Sequence, residues 1–180
     1  MTQQIFPYGI RLYGENLTAN DGIVLAGDYS AQNVNVSSNN ITISRGANAI
    51  WLVGTKNINV SQNTVLFNNS SYSTKDNVFG LRLENSTNAT INANNIPYVQ
   101  NVIILDKSKG VNIASNTLTG AKKHGINLTS SSASISANTI SGNKENGIFC
   151  YKNSTMTTNK NRITGNKKHG IFVNECKGKS

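Results

Sequence analysis

Two short strings hold most of the side chains that could do chemistry. Lys122-Lys123-His124-Gly125-Ile126 recurs as Lys167-Lys168-His169-Gly170-Ile171. An imidazole can exchange a proton near neutral pH, and an ammonium can neutralise a carboxylate or a sulfate. Removing a proton beside a carboxylate needs a base, an acid and a carboxylate neutraliser, and His124, Tyr151 and Lys123 have the right types. Arg82, Glu84 and Asp106 form a second set, because paired carboxylates can share acid and base work. The plainer reading of the histidines is drift within a repeat. Cys150 and Cys176 form no C-x-x-C, and no third or fourth ligand lies near, so neither a metal site nor a cofactor is expected.

The elements that must position these residues follow from a period. Seven apolar positions, Ile23, Ile50, Leu81, Ile103, Ile126, Ile148 and Ile171, are separated by steps of 27, 31, 22, 23, 22 and 23. The two Lys-Lys-His strings therefore lie two repeats apart, with Asn146 at the intermediate position. Each repeat carries a second apolar mark (Val60, Ile91, Ile113, Ile135) and then a third (Val65, Ile96, Leu118, Ile140). An asparagine stands two residues before each third mark: Asn39, Asn63, Asn94, Asn116, Asn138 and Asn161. The longest step contains the polar string FNNSSYSTKDN at 67–77. Three short strands per repeat cannot bury their apolar faces alone. Stacked at about 4.8 Å, each pairs in parallel with its neighbours, and the asparagines can bond one another along the stack. Glycines before the first strand (Gly22, Gly80, Gly125, Gly147, Gly170) are expected to permit a bend that other residues resist. A leucine-rich repeat would need a different consensus and helix formers that are missing here.

Composition agrees with one such domain over 1–180, with an insertion at about 66–78 and a loosely ordered tail at 175–180. The chain is 37% hydrophobic and 14% charged. Its net charge of +9 is unevenly placed: residues 1–100 hold five basic and five acidic groups, and residues 101–180 hold twelve basic against three acidic. Such an excess points either to a polyanionic partner or to lysines used for solubility and edge protection. No apolar run approaches the roughly 20 residues of a membrane helix. No basic-then-apolar leader opens the chain, so the protein is cytoplasmic, or a leader was removed, or the chain begins internally.

The turns written NGI…I…N-x-I resemble the right-handed parallel β-helix repeat of the pectin-lyase-like superfamily, over about residues 9–174. The resemblance implies an all-β, single-stranded right-handed parallel β-helix of about seven turns, roughly 30 Å long at the inter-strand spacing. It favours an extracellular, cell-surface or phage-particle setting. It also implies a substrate groove floored by the first strands. Alternation aims Trp51, Arg82, Ile104, Asn127, Phe149 and Phe172 outward in one column, and Val53, Glu84, Asp106, Thr129, Tyr151 and Asn174 in the next. Trp51, Phe149, Tyr151 and Phe172 either stack on sugar rings or lie under the insertion or another subunit. Lys122, Lys123, His124, Lys144, Lys167, Lys168 and His169 are expected along one lip, and Lys107, Lys109, Lys152 and Lys177 along the other.

The leading function is therefore binding of an anionic polysaccharide by the second half, weakened by charge reversal at Lys123 and Lys168. The second is a uronan lyase, C5-epimerase or glycoside hydrolase, or a part of one, using Arg82, Glu84, Asp106 and His124; no Asp-Pro-His-Glu string is present. The third is a structural solenoid. A nucleic acid is not the expected partner, because β-helices are not its usual readers and the aromatics are sparse. Ile10 lies 13 residues before Ile23, which reads as a second strand in a turn without a first, with Leu17 in its third. At the other end Ile171–Val173 reads as a first strand without a second or third. End-to-end or lateral self-association, or flanking domains of a longer protein, would cover such ends.

Overall fold

At one corner of every complete turn the backbone adopts a conformation that its residue ordinarily avoids. Ser38, Gln62, Ala93, Ser115, Ala137 and Lys160 have φ between 53° and 59°, in the left-handed region that costs an L-residue roughly 1–2 kcal/mol. Each is followed by one of the six asparagines. Their carboxamides form a continuous ladder: Nδ2 of Asn39 donates to Oδ1 of Asn63, and so on through Asn94, Asn116, Asn138 and Asn161, at 2.8–3.0 Å. Each backbone N–H from Asn39 to Asn138 donates to the same oxygen of the next asparagine. Asn63, Asn94, Asn116, Asn138 and Asn161 also donate to the carbonyl of the second mark one turn back. Hydrogen bonds of this number offset the strain of the bend.

The computed structural model describes residues 10–12, 18–19, 23–26, 32–43, 48–67 and 78–179. Its strands form three parallel faces. The first comprises Ile10–Leu12, Ile23–Ala26, Ile50–Val53, Phe79–Glu84, Asn101–Asp106 and Ile126–Thr129, followed by the start of Ile148–Asn159. The second comprises Thr18–Ala19, Asn35–Ser37, Lys56–Ser61, Thr87–Asn92, Val111–Ala114 and Ser132–Ser136, followed by the rest of Ile148–Asn159. The third comprises Asn40–Ile43, Thr64–Phe67, Asn95–Pro97, Thr117–Thr119, Thr139–Ser141 and Arg162–Thr164. A parallel β-solenoid of six complete turns results, one fewer than the seven first marks suggest, because Ile171–Lys179 has no third strand after it among the described residues. No helix of these residues is long and apolar enough to cross a membrane.

The three predicted marks are the core. Ile50, Leu81, Ile103, Ile126 and Ile148 stack on the first face, Val60, Ile91, Ile113 and Ile135 on the second, and Val65, Ile96, Leu118 and Ile140 on the third, all fully buried. A second ladder, which the period does not announce, crosses the corner between the first and second faces. Backbone N–H groups of Thr55, Ser86, Ser108 and Ser131 donate to the hydroxyls of Ser86, Ser108, Ser131 and Ser154.

Three expectations need correction. Ile10 pairs with Ile23, and Thr18 with Asn35; Ile10 therefore opens a short first strand and is not in a second one, while Leu17 lies outside the described residues. The C-terminal strand does continue into a second: Ile171–Lys179 follows Ile148–Asn159 around the corner, with Cys176 beside Ser154 and Lys179 beside Thr157. There Cys176 turns inward and forms a disulfide with buried Cys150. Gly80, Gly125 and Gly147 before the first strands are required for room and not for φ, whereas a Cβ on Gly170 would meet its nearest neighbour at 3.4 Å. A Cβ on Gly125 would lie 2.6 Å from Cγ2 of Ile140, and one on Gly147 would lie 2.7 Å from Cγ2 of Ile163. Gly22 and the 67–77 string are outside the described side chains.

Asn116→Ala strands the Asn94 N–H and the Ile91 carbonyl in the interior. We expect a loss of about 3 kcal/mol or more in urea unfolding, against less than about 0.5 kcal/mol for exposed Asn112→Ala.

Candidate functional site

The first face carries both outward columns in the predicted register: Trp51, Arg82, Ile104, Asn127, Phe149 and Phe172, beside Val53, Glu84, Asp106, Thr129, Tyr151 and Asn174. Stacking like positions brings each group within reach of the groups one turn above and below. Everything the site can do follows from those contacts.

Midway along the face, Arg82 is enclosed. Its Nη2 lies 3.1 Å from Glu84 Oε2 and 3.3 Å from Asp106 Oδ2. Its guanidinium carbon sits 5.5 Å from the Trp51 ring centre and 5.9 Å from that of Phe79, distances at which a cation is attracted to a ring face. Trp51 and Phe79 meet edge to face at 5.8 Å. The two carboxylates are thus brought together, as the period implies, but around a shared cation. Phe79 was not singled out from the sequence; it directly follows the insertion, where the period is broken.

Next to this group lies a cleft of about 300 Å³ lined by Arg82, Asn101, Ile104, Asp106, Lys123, His124, Asn127 and Thr129. Arg82 Nε, Asn101 Oδ1 and Asn127 Oδ1 are buried here without a hydrogen-bond partner. Buried polar atoms ordinarily have one, so the wall of this cleft keeps unmet hydrogen-bonding capacity just beneath its surface.

Towards the C-terminal end the floor is aromatic. His124 stacks on Phe149 with ring centres 4.6 Å apart and planes within 7°, and Phe149 stacks on Phe172 at 5.4 Å and 2°. Tyr151 lies 6.0 Å from Phe149, and His169 lies 5.3 Å from Phe172. These rings are half-buried apart from His124, which is buried, and His169, which is exposed. His124 Nε2 lies 3.5 Å from Glu145 Oε2, an atom also 3.4 Å from Lys168 Nζ. Burial pushes the His124 pKa below its ordinary 6.5; Glu145 pulls the other way, and Lys168 and Lys123 add to the depression.

In the loop that enters the first strand, Lys122, Lys144 and Lys167 stack on successive turns. The next position along the loop reads Lys123, Glu145, Lys168, so an acid interrupts the cations. Of the second set, Lys107 and Lys152 lie at the corner after the first strand, each with positive φ. Lys109 and Lys177 lie just beyond, pairing with Thr87 and Thr155 at the start of the second face; Lys109 Nζ donates to the Ser130 carbonyl at 3.0 Å.

A solenoid of stacked parallel turns with an outward-facing polar and aromatic first sheet defines a class, and the comparisons name it. Residues 21–178 match the family model described as the right handed beta helix region, and the chain belongs to that family. Among solved structures, it is similar to a single-residue variant of the periplasmic alginate epimerase AlgG, with a TM-score of 0.58 at 14% identity over 96% of this chain and 48% of that one. The unsubstituted AlgG aligns with a TM-score of 0.52 at 14% identity, over 89% of this chain and 42% of that one. The chain therefore spans about half the length of these structures, and the likeness is one of fold. A search of curated proteins returns no match.

His124 also sets a pH dependence. With its folded pKa below 6.5, the unfolded chain takes up a proton that the folded chain does not as pH falls below that value. The contribution is complete above pH 6.5 and is lost on acidification. Stability between about pH 7 and pH 5 should fall more steeply in the wild type than in His124→Gln, by at most about 1.4 kcal/mol per pH unit. Identical slopes in the two would contradict this.

Proposed function

We propose that the first face binds an anionic polysaccharide, with the chain lying along the solenoid axis. The observation that carries this reading is the aromatic column of Phe149 and Phe172, capped by His124, beside the lysine rungs of Lys122, Lys144 and Lys167. The faces of Phe149 are covered by His124 and Phe172, so the column offers a sugar chain an apolar ridge of ring edges, and ammonium groups one turn apart can meet successive carboxylates or sulfates. Tyr151 extends the floor beside Phe149, Trp51 lies four strands away in the same column, and Lys123, Lys168 and His169 complete the lip. The Cys150–Cys176 disulfide is in keeping with an oxidising setting such as the cell exterior.

An enzymatic reading has one specific support. Arg82, Asp106, Lys123 and His124 line the same cleft, so a cation, a carboxylate and an imidazole converge where a uronate unit would sit. Arg82 already has two carboxylate partners there, and His124 Nε2 faces Glu145. Both contacts would have to loosen for a lyase, C5-epimerase or hydrolase reaction, which makes binding the better-supported function. The alginate epimerase activity of AlgG belongs to a protein about twice this length.

Polygalacturonate titrated by calorimetry tests the binding. Phe149→Ala and the charge reversal Lys167→Glu should each weaken it by about tenfold, equivalent to about 1.4 kcal/mol, and added salt should weaken the wild type as well. Unchanged affinity in both variants would remove the first face from consideration.

A further inference from the structure

The two Lys-Lys-His strings are equivalent in sequence, but their imidazoles make opposite hydrogen bonds. Asn146 stands between them. Its backbone N–H donates to Nδ1 of His124 at 3.4 Å, and its side-chain Nδ2 lies 3.4 Å from the same atom. A backbone amide can only donate, so His124 Nδ1 is an acceptor and its hydrogen is on Nε2. That Nε2–H faces Glu145 Oε2 at 3.5 Å. On the other side, the backbone N–H of His169 donates to Asn146 Oδ1 at 3.2 Å. This fixes which end of the amide faces His169. Nδ1 of His169 lies 3.0 Å from that same oxygen and must be the donor. The remaining nitrogen, His169 Nε2, is then the bare one, on an exposed ring beside Phe172.

We infer that Asn146 is a positioning residue that holds His124 and His169 in opposite tautomers, so that His169 alone presents a bare Nε2 to a ligand.

The difference follows from what each ring would have to give up. A second proton on His124 would go to Nδ1, where it would meet two N–H donors from Asn146. The groups around that ring are Glu145 at Nε2, Phe149 on its face, and the ammoniums of Lys123 and Lys168. Burial and the two ammoniums disfavour the charge, and Glu145 is shared with Lys168. Around His169 stand Asn146 on the preceding turn, Lys167 and Lys168 on its own, and Phe172, with the Lys168 charge partly met by Glu145. The bare Nε2 of this ring accepts a hydrogen bond from a ligand hydroxyl.

Long-range 1H–15N spectra of the protein labelled at histidine nitrogen read the tautomers directly, without any ligand. At about pH 8 we expect one Nε2–H and one Nδ1–H pattern. Asn146→Ala should release His169 into a mixture of tautomers, but the wild-type spectrum decides even if that variant folds poorly. Two histidines in the same tautomer would overturn the inference. Its consequence for affinity rests on the polyanion reading, and is tested with polygalacturonate, whose hydroxyls can donate to the bare nitrogen. His169→Ala should weaken binding about two- to fivefold; unchanged affinity contradicts the role of His169. No binding by the wild type contradicts the polyanion reading alone, because the tautomers are read independently of it.

Discussion

Register is the constraint on which the rest of this structure depends, and the asparagine ladder is what imposes it. A solenoid turn that slipped by one residue would turn its inward side chains to solvent. The ladder prevents this at the corner before the third strand. There the left-handed residue, the carboxamide and two backbone groups must all fall at the same place in successive turns. The serine ladder at Ser86, Ser108, Ser131 and Ser154 does the same at the corner between the first and second faces. With both corners pinned, the second strand between them has no freedom to slide, even across the long step from Val60 to Ile91.

Fixed register turns a linear pattern into a surface pattern. Side chains 22 or 23 residues apart become neighbours at the inter-strand spacing, which is why three rings can stack face to face along the axis. It is also why like charges would accumulate if nothing interrupted them. The structure handles this differently at the two ends. Near Trp51 the cation Arg82 is answered by two carboxylates. Near Phe172 Glu145 answers Lys168. The excess positive charge of the second half is shared between this lip, beside the aromatic floor, and lysines such as Lys107, Lys109, Lys152 and Lys177 at and beyond the next corner.

Much of this was legible from the sequence, because the period reports which side chains point inward. The three aliphatic marks, the asparagine column and both outward columns of the first face all follow from spacing and alternation. What spacing cannot report is contact between columns. Glu145 stands on the Lys123–Lys168 rung, but its reach to His124 depends on side-chain direction. The orphaned atoms of Asn101 and Asn127 depend on how the cleft closes. Gly125 and Gly147 were legible as requirements, but the reason, a third-strand isoleucine pressed against the backbone, is a packing fact. The two ends misled for a related reason. Ile10 and the Glu175–Lys179 segment have periodic neighbours on one side only, so an interval of 13 residues admitted two registers, and the strand that continues past Cys176 carries no aliphatic mark.

The binding face is tested most directly by native gels cast with polygalacturonate, alginate or a neutral glucan, with unsaturated products assayed in the same lanes. Retardation by the two acidic polymers and not by the neutral one is the predicted result, with no product formed. Equal mobility in all three gels would contradict it, and would leave the lysine lip as surface charge on a structural solenoid.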